Sequence, residues 1–515
     1  MSSLSSDQFI VDMDKAYQFE GESFALGGAM LDKKAISGVL VNIALSTLNR
    51  HGLVTGATGT GKTKSLQYLC EQLSLAWIAS VMMDVKWDVS WLAKAGEIND
   101  KIEIRMKNIG LERKAQGFPV ELLTLSNSNG VRMRSTVSEM GPILMAKLLD
   151  LNDTQSAVLA IIFKYCDEHN LLLVDLEDLK KTLNYMGTIN DEAFKTEYGS
   201  ISDASLSVIM RSVLELEGQG GAQCFGEPSL EIKDLMRKSW EQGVINILQS
   251  YDIFTKPKLY STFILGLLAE CFNTLPEVGD LPAPKLVIII DEAHLLFQDL
   301  DKQILNHISM IIKLIRSRGV SIIFCTQSPT DIPEGILGQL GLKIQHALRA
   351  FTPKDVKGIR LIEETFPITS FYDVENLITE LGTGEALVTC IDENGYPSPL
   401  VHTLIATPSS RMGSLDENEY SQIISNSLLV SKYEKTIDPE SASEILIRKI
   451  EDQQEDKDKS KWFFWRIFDN QIVKTTSTYA IKEIARGALG KLGAKGTTKT
   501  AGANLITNLF GKLIK

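Results

Sequence analysis

Residues 53 to 63 read Leu53-Val54-Thr55-Gly56-Ala57-Thr58-Gly59-Thr60-Gly61-Lys62-Thr63, a short apolar run passing straight into the pattern G-x-x-x-x-G-K-[ST]. The run predicts a buried strand, and Lys62 to about Leu75 predicts a helix, so the glycines fall in a strand-to-helix turn. Gly56, Gly59 and Gly61 lack a Cβ and let backbone N–H groups converge on a polyphosphate. Lys62 would reach the β- and γ-phosphates and Thr63 would ligate Mg²⁺. The positive N-terminus of the helix would face the same charge. Ala57, Thr58 and Thr60 complete the candidate binding loop. The bland alternative is a Gly/Thr-rich surface loop, and the strand before it and helix after it argue against that reading.

Further along, Val287 to Ile290 run into Asp291-Glu292. This predicts a buried strand, next to the loop strand, with carboxylates at its end. Asp291 would hold a water on Mg²⁺, and Glu292 would polarise the attacking water as general base. The next apolar run, Ser321 to Cys325, ends in Thr326-Gln327, which sets the amide of Gln327 beside the γ-phosphate as a sensor or water-orienting group. Arg316 closes a helix predicted over Lys302 to Ser317 and terminated by Gly319. A cation there is favourable through the helix dipole alone; a role on a neighbouring copy's nucleotide is the other reading. Asp84-Val-Lys-Trp-Asp88 ends the strand predicted after the loop helix, and ligands gather at the carboxyl ends of parallel strands. Asp88 is therefore a candidate second catalytic carboxylate. His294 reads as structural.

Strand-like runs at Ile78 to Val85, Leu122 to Leu125, Val244 to Leu248, Leu286 to Ile290, Ser321 to Cys325, Ile344 to Leu348, Ala386 to Thr389 and Val401 to Ile405 predict an α/β fold with a mostly parallel central sheet. Between Gly141 and Gly218 the period changes to helices only, over Ile143 to Leu149, Thr154 to Glu168, Leu176 to Tyr185, Asp191 to Tyr198 and Ser205 to Glu217. The chain thus divides into an N-terminal segment (1–50), a first core part (51–140), a helical insertion (141–220), a second core part (221–410), a helical extension (411–450) and a tail (451–515). Val39 to Leu48 reads as a strand or short helix leading into the loop.

Composition narrows the partners. With 515 residues, 44% hydrophobic and 23% charged, the chain is an ordinary globular protein of roughly two to four structural units. No run reaches the ~18 apolar residues of a membrane span. The first residues lack an export signal, so a cytoplasmic location is expected. Six cysteines without C-x-x-C spacing argue against a disulfide framework and a zinc site. A net charge of −12 rules out a generally basic nucleic-acid-binding surface. The exception is the tail. After the acidic stretch Glu451 to Ser460 and the aromatic cluster Trp462 to Trp465, residues 471–515 carry a local charge of +7. Thr478 to Leu492 and Ala501 to Ile514 could form amphipathic helices for an anionic membrane surface, a phosphate backbone or another subunit. A solvated, partly disordered end is the alternative.

Taken together, His51 to Thr63, Asp291-Glu-Ala-His294, Thr326-Gln327 and Arg316 resemble the HerA/FtsK superfamily of hexameric motor ATPases. More closely, Leu148 to Gln155, Gln339 to Gly341, Gln345 to Asp355 and Gly382 to Ala386 resemble the bacterial YjgR family of HerA-like proteins, over roughly residues 50 to 435. The resemblance implies a RecA-like P-loop NTPase core that binds ATP and Mg²⁺. It implies a phosphate loop at Gly56 to Thr63, acids at Asp291 and Glu292, a sensor at Gln327 and a trans-acting arginine finger at Arg316. It further implies assembly with copies of itself into a hexamer that translocates or unwinds DNA. A regulatory ATPase whose nucleotide state controls a protein partner or membrane association is the second reading. Two departures matter: Trp87 stands where the family leads one to expect Gly, which weakens the role of Asp88. The first 50 residues leave little room for the β-barrel by which HerA proper docks a nuclease.

Overall fold

Leu286–Ile290 is apolar at every position, which suits only a strand covered on both faces, and all five of its residues are buried. It is β10 of the fourteen strands described. The others are β1 (Ser23–Leu31), β2 (Lys34–Ala44), β3 (Gly52–Thr55), β4 (Ala79–Asp84), β5 (Val120–Thr124), β6 (Val131–Arg132) and the small hairpin β7–β8 (Lys238–Ser239, Gln242–Gly243). They continue with β9 (Ile245–Gln249), β11 (Val320–Thr326), β12 (Leu342–Gln345), β13 (Glu385–Cys390) and β14 (Val401–Ile405). This computed structural model describes residues 6–449 apart from 85–89, 98, 127–129, 190–191, 250–255, 299, 301, 350–352 and 393. Met1–Ser443 is one compact unit and Glu444–Lys515 a second; the acidic stretch, aromatic cluster and basic tail lie outside the described residues.

Twelve strands form one sheet in the order β2-β1-β14-β13-β12-β3-β11-β10-β4-β9-β5-β6. From β12 to β6 every pairing is parallel; from β12 to β2 every pairing is antiparallel. The parallel part, with helices packed on it, is the α/β core expected from the strand-like runs. One expectation is corrected here: β10 is not beside the loop strand β3, because β11 lies between them. Parallel neighbours are joined by long crossovers, so chain order leaves sheet order open.

The N-terminal segment contributes more than a lead-in. Its residues 23–44 form the hairpin β1–β2 on the antiparallel edge, and the short helix Leu45–Leu48 then delivers the chain to β3. The hairpin turn uses Asp32 and Lys33, both at positive φ (50° and 62°). That is the geometry of a tight hairpin turn without the Gly or Asn that normally signals one. The helix Ser6–Ala16 buries Phe9 and Met13, and Tyr17 beyond it donates to Pro399 O at 2.6 Å. All three join the main core, together with Leu66, Leu69 and Leu73 of the helix Lys62–Leu75 and Val287, Ile289, Ile323 and Ile344 of the sheet.

Between 137 and 218 the described residues hold helices only: Val137–Leu148, Asp153–Glu168, Leu176–Thr188, Glu192–Tyr198 and Asp203–Gly218. Local chemistry sets their starts. Thr136 with Glu139, Asn152 with Gln155 and Asp175 with Asp178 form reciprocal capping pairs. The first helix begins at Val137 rather than Ile143 because its cap lies before the Gly141-Pro142 kink, where Gly141 has φ 72°. It packs on the helix Pro257–Thr274. No described helix is long and apolar enough to cross a membrane.

Candidate functional site

β3 carries the chain into the loop at the carboxyl ends of the parallel strands. Gly56, Gly59 and Gly61 all have positive φ, at 149°, 78° and 115°. At two of them close approach adds to backbone strain. A Cβ on Gly56 would stand 2.5 Å from His346 Cβ, and one on Gly61 would stand 2.9 Å from Gly384 N. The Lys62 ammonium donates to Gly56 O at 2.5 Å and Ala57 O at 3.1 Å, which sets its charge inside the loop. Thr60 Oγ1 donates to Ala57 O at 2.7 Å. Thr58 and Gly59 are exposed at the tip, and Thr63 is half-buried in the first helical turn. A Gly56→Ala variant is expected to lose about 1–3 kcal/mol of stability, read as a lowered denaturation midpoint, because strain and clash coincide there.

Two strands bring carboxylates to the same edge. Met83 and Ile290 are register partners, so Asp84 and Asp291 each stand one residue beyond that pair. Asp84, Asp291 and Glu292 are 1%, 8% and 6% exposed. Asp291 Oδ1 accepts from the Glu292 N–H at 2.9 Å, and Ala293 N–H donates to Cys325 O at 2.8 Å. Glu292 itself is held in the left-handed region at φ 49°, where non-glycine residues are rare. The Tyr260 hydroxyl donates to Asp291 O at 3.3 Å. Burial first, and then the charges of Asp291, Glu292 and Asp84, push the Tyr260 phenol up, so it stays protonated. Burial and the Asp291 carboxylate do the same to the Cys325 thiol. His294 Nδ1 lies 3.5 Å from Glu292 Oε2.

Gln327 is exposed and follows β11, the strand between β3 and β10. Thr326 just before it donates to Asp331 Oδ2 at 2.6 Å, as does Ser328 N–H at 3.0 Å, which fixes the turn. Arg316 stands elsewhere. The helix ends at Ile315, Arg316–Arg318 form a tight turn, and Gly319 closes it at φ 76°. All seven residues of β11 therefore separate Arg316 from Gln327, about 20 Å at ~3.3 Å per residue. Arg316 Nη2 lies 3.4 Å from Asp280 Oδ1 and stays partly exposed. Asp88 and Trp87 lie outside the described residues. Among the described residues, the acid that the fold sets beside Asp291 is Asp84, legible as the last residue of its apolar run.

Supports from distant segments complete the loop, and the sequence reading assigned them no role. Thr55 Oγ1 donates to Gln345 Oε1 at 2.7 Å, His346 N–H to Thr55 O at 2.7 Å, and Ala57 N–H to Ala347 O at 2.8 Å. Gly384 N–H donates to Thr60 O at 2.9 Å, and Arg105 Nη2 donates to Gly384 O at 2.5 Å. On the loop helix, the Glu71 carboxylate accepts from Ser409 N–H at 2.7 Å and Ser410 N–H at 2.9 Å; burial pushes it up to about 6. Among the described residues no three acidic, His or Cys side chains converge to hold a metal by themselves.

The chain is similar in fold outline to the bacterial conjugative coupling protein TrwBΔN70, with 12% identity and a TM-score of 0.49, covering 79% of this chain and 95% of that one. TrwB in complex with the non-hydrolysable ATP analogue ADPNP gives 13%, 0.48, 77% and 99% in the same order. VirB4 of Thermoanaerobacter pseudethanolicus gives 14%, 0.46, 78% and 98%. No curated protein matches. The family model described as "Helicase HerA-like C-terminal" matches residues 31–463, a span that holds the loop, both carboxylate-bearing strands and the strand between β3 and β10. The chain belongs to the HerA-like C-terminal family.

Proposed function

We propose that this chain is an ATPase that binds ATP with Mg²⁺ at Gly56–Thr63, hydrolyses it, and works as a hexameric ring that moves along or unwinds DNA. One observation supports the reading above the others. The loop, the Thr326-Gln327 pair and the Asp291-Glu292 pair end the adjacent parallel strands β3, β11 and β10 at a single edge of the sheet.

The residues fit the ligand. The positive-φ glycines leave room for a polyphosphate against backbone N–H groups, and the Lys62 ammonium already sits among loop carbonyls. Thr63 and Asp291 would hold Mg²⁺, an ion that takes few protein ligands beside phosphate oxygens and, when bound, neutralises phosphate charge. Lys62 would bind the β- and γ-phosphates, Glu292 would take a proton from the attacking water, and Gln327 would orient that water. Tyr260, kept protonated, donates to the backbone beneath Asp291 and holds the acidic pair in place.

A Lys62→Ala variant is expected to bind ATP·Mg²⁺ about 10- to 100-fold more weakly, because charge-assisted hydrogen bonds to phosphate are lost. Calorimetric titration checks this, and unchanged affinity would remove the loop from the site. The DNA part has its own test, hydrolysis recorded with and without duplex DNA at rising salt. Stimulation that fades with salt supports the motor. Hydrolysis indifferent to DNA but altered by a protein partner or anionic vesicles would favour the regulatory alternative. The ring is tested by particle mass with and without ATP and Mg²⁺.

A further inference from the structure

His346 is a fully buried imidazole to which the proposed mechanism gives no task. Its Nδ1 lies 2.9 Å from Glu385 O and its Nε2 lies 3.0 Å from Ser65 Oγ. A backbone carbonyl can only accept, so Nδ1 carries the proton and Nε2 accepts from the Ser65 hydroxyl. Burial lowers the ring to about 4, the Lys62 and Arg105 charges acting in the same direction and the Glu385 carbonyl against them. At neutral pH it is therefore an uncharged strut. Its Cβ occupies the space that a side chain on Gly56 would need. One side chain thus touches the entrance of the phosphate loop at Gly56 and the first turn of the following helix at Ser65. Through Glu385 the same side chain is tied to β13, next to the Gly384 N–H that holds Thr60 O.

We propose that His346 is a positioning residue for the nucleotide site, setting the spacing between Gly56 and the helix turn that presents Lys62 and Thr63. This rests on the reading of the loop as an ATP site. The two ring nitrogens can be separated by substitution. In His346→Gln an amide oxygen can stand where Nε2 stood and accept from Ser65. In His346→Asn an amide nitrogen can stand where Nδ1 stood and donate to Glu385 O, leaving Ser65 without its acceptor. Ser65→Ala breaks the same bridge from the other end.

The test is the affinity of the full chain for ATP·Mg²⁺, read by displacement of a fluorescent ATP analogue, with the melting midpoint of each variant recorded without nucleotide. His346→Gln is expected to bind within about three-fold of wild type, and His346→Asn and Ser65→Ala about ten-fold more weakly. The double variant Ser65→Ala/His346→Asn should be no weaker than either single change, since both remove one bridge. If His346→Asn melts early, Ser65→Ala, a change of one oxygen atom, carries the test alone. Wild-type affinity in Ser65→Ala and His346→Asn, or additive losses in the double variant, would overturn the proposal while wild type still binds. Failure of wild type to bind would instead overturn the ATPase reading.

Discussion

A Glu292→Gln chain is expected to bind ATP·Mg²⁺ as wild type does while its hydrolysis falls by about 10²- to 10⁴-fold, the range contributed by a positioned general base. The amide keeps the size of the carboxylate, and Lys62, Thr63 and Asp291 are untouched, so the loss should lie in turnover rather than affinity. Glu292 is suited to the task by its surroundings. It is 6% exposed, held at φ 49° after a strand with no polar residue, and set beside a second carboxylate whose Oδ1 holds its N–H. Phosphate release at saturating ATP, with a separate binding isotherm, checks the prediction. Normal turnover in this variant would move the base to another acid of the edge, with Asp84 next in line.

The second large effect concerns Arg316. With about 20 Å of β11 between it and the Gln327 end of its own sheet, this cation would, on the proposed reading, serve the nucleotide of a neighbouring copy. Arg316→Ala is expected to keep ATP binding and lose about 10³- to 10⁵-fold in hydrolysis, the range of arginine fingers supplied in trans. A mixing experiment isolates the trans role. Lys62→Ala subunits lack a working loop but keep Arg316, and Arg316→Ala subunits keep the loop. Mixing the two inactive preparations should restore part of the hydrolysis. Wild-type turnover in Arg316→Ala would reduce Arg316 to its pairing with Asp280 and the end of its helix.

What was readable in the residues follows from how local each signal is. The phosphate loop is a continuous stretch whose glycines answer to backbone sterics, and they all take positive φ. β10 and β14 begin and end where their strands are expected, and the helix starts after 152 and 175 are set by caps within one turn, whereas the start after 136 lies six residues before the expected Ile143. The N-terminal hairpin was less legible, because Asp32-Lys33 adopts a turn that these residues seldom advertise. The neighbour of β3 could not be read at all, since a parallel crossover can land on either side of a strand.

By itself, then, the sequence determined the chemistry available: a loop able to hold a polyphosphate, and acids and an amide at strand ends. These rest on residue type and short spacing. Only the tertiary structure decided which of them meet. It set β11 between β3 and β10, brought Asp84 to the strand end beside Asp291, and carried Arg316 to the far end of the sheet. It also ran the end of β12 along the loop, so that His346 braces Gly56 and Ser65 across more than 280 residues of chain. Such long-range pairings depend on sheet order and register, which no local stretch encodes.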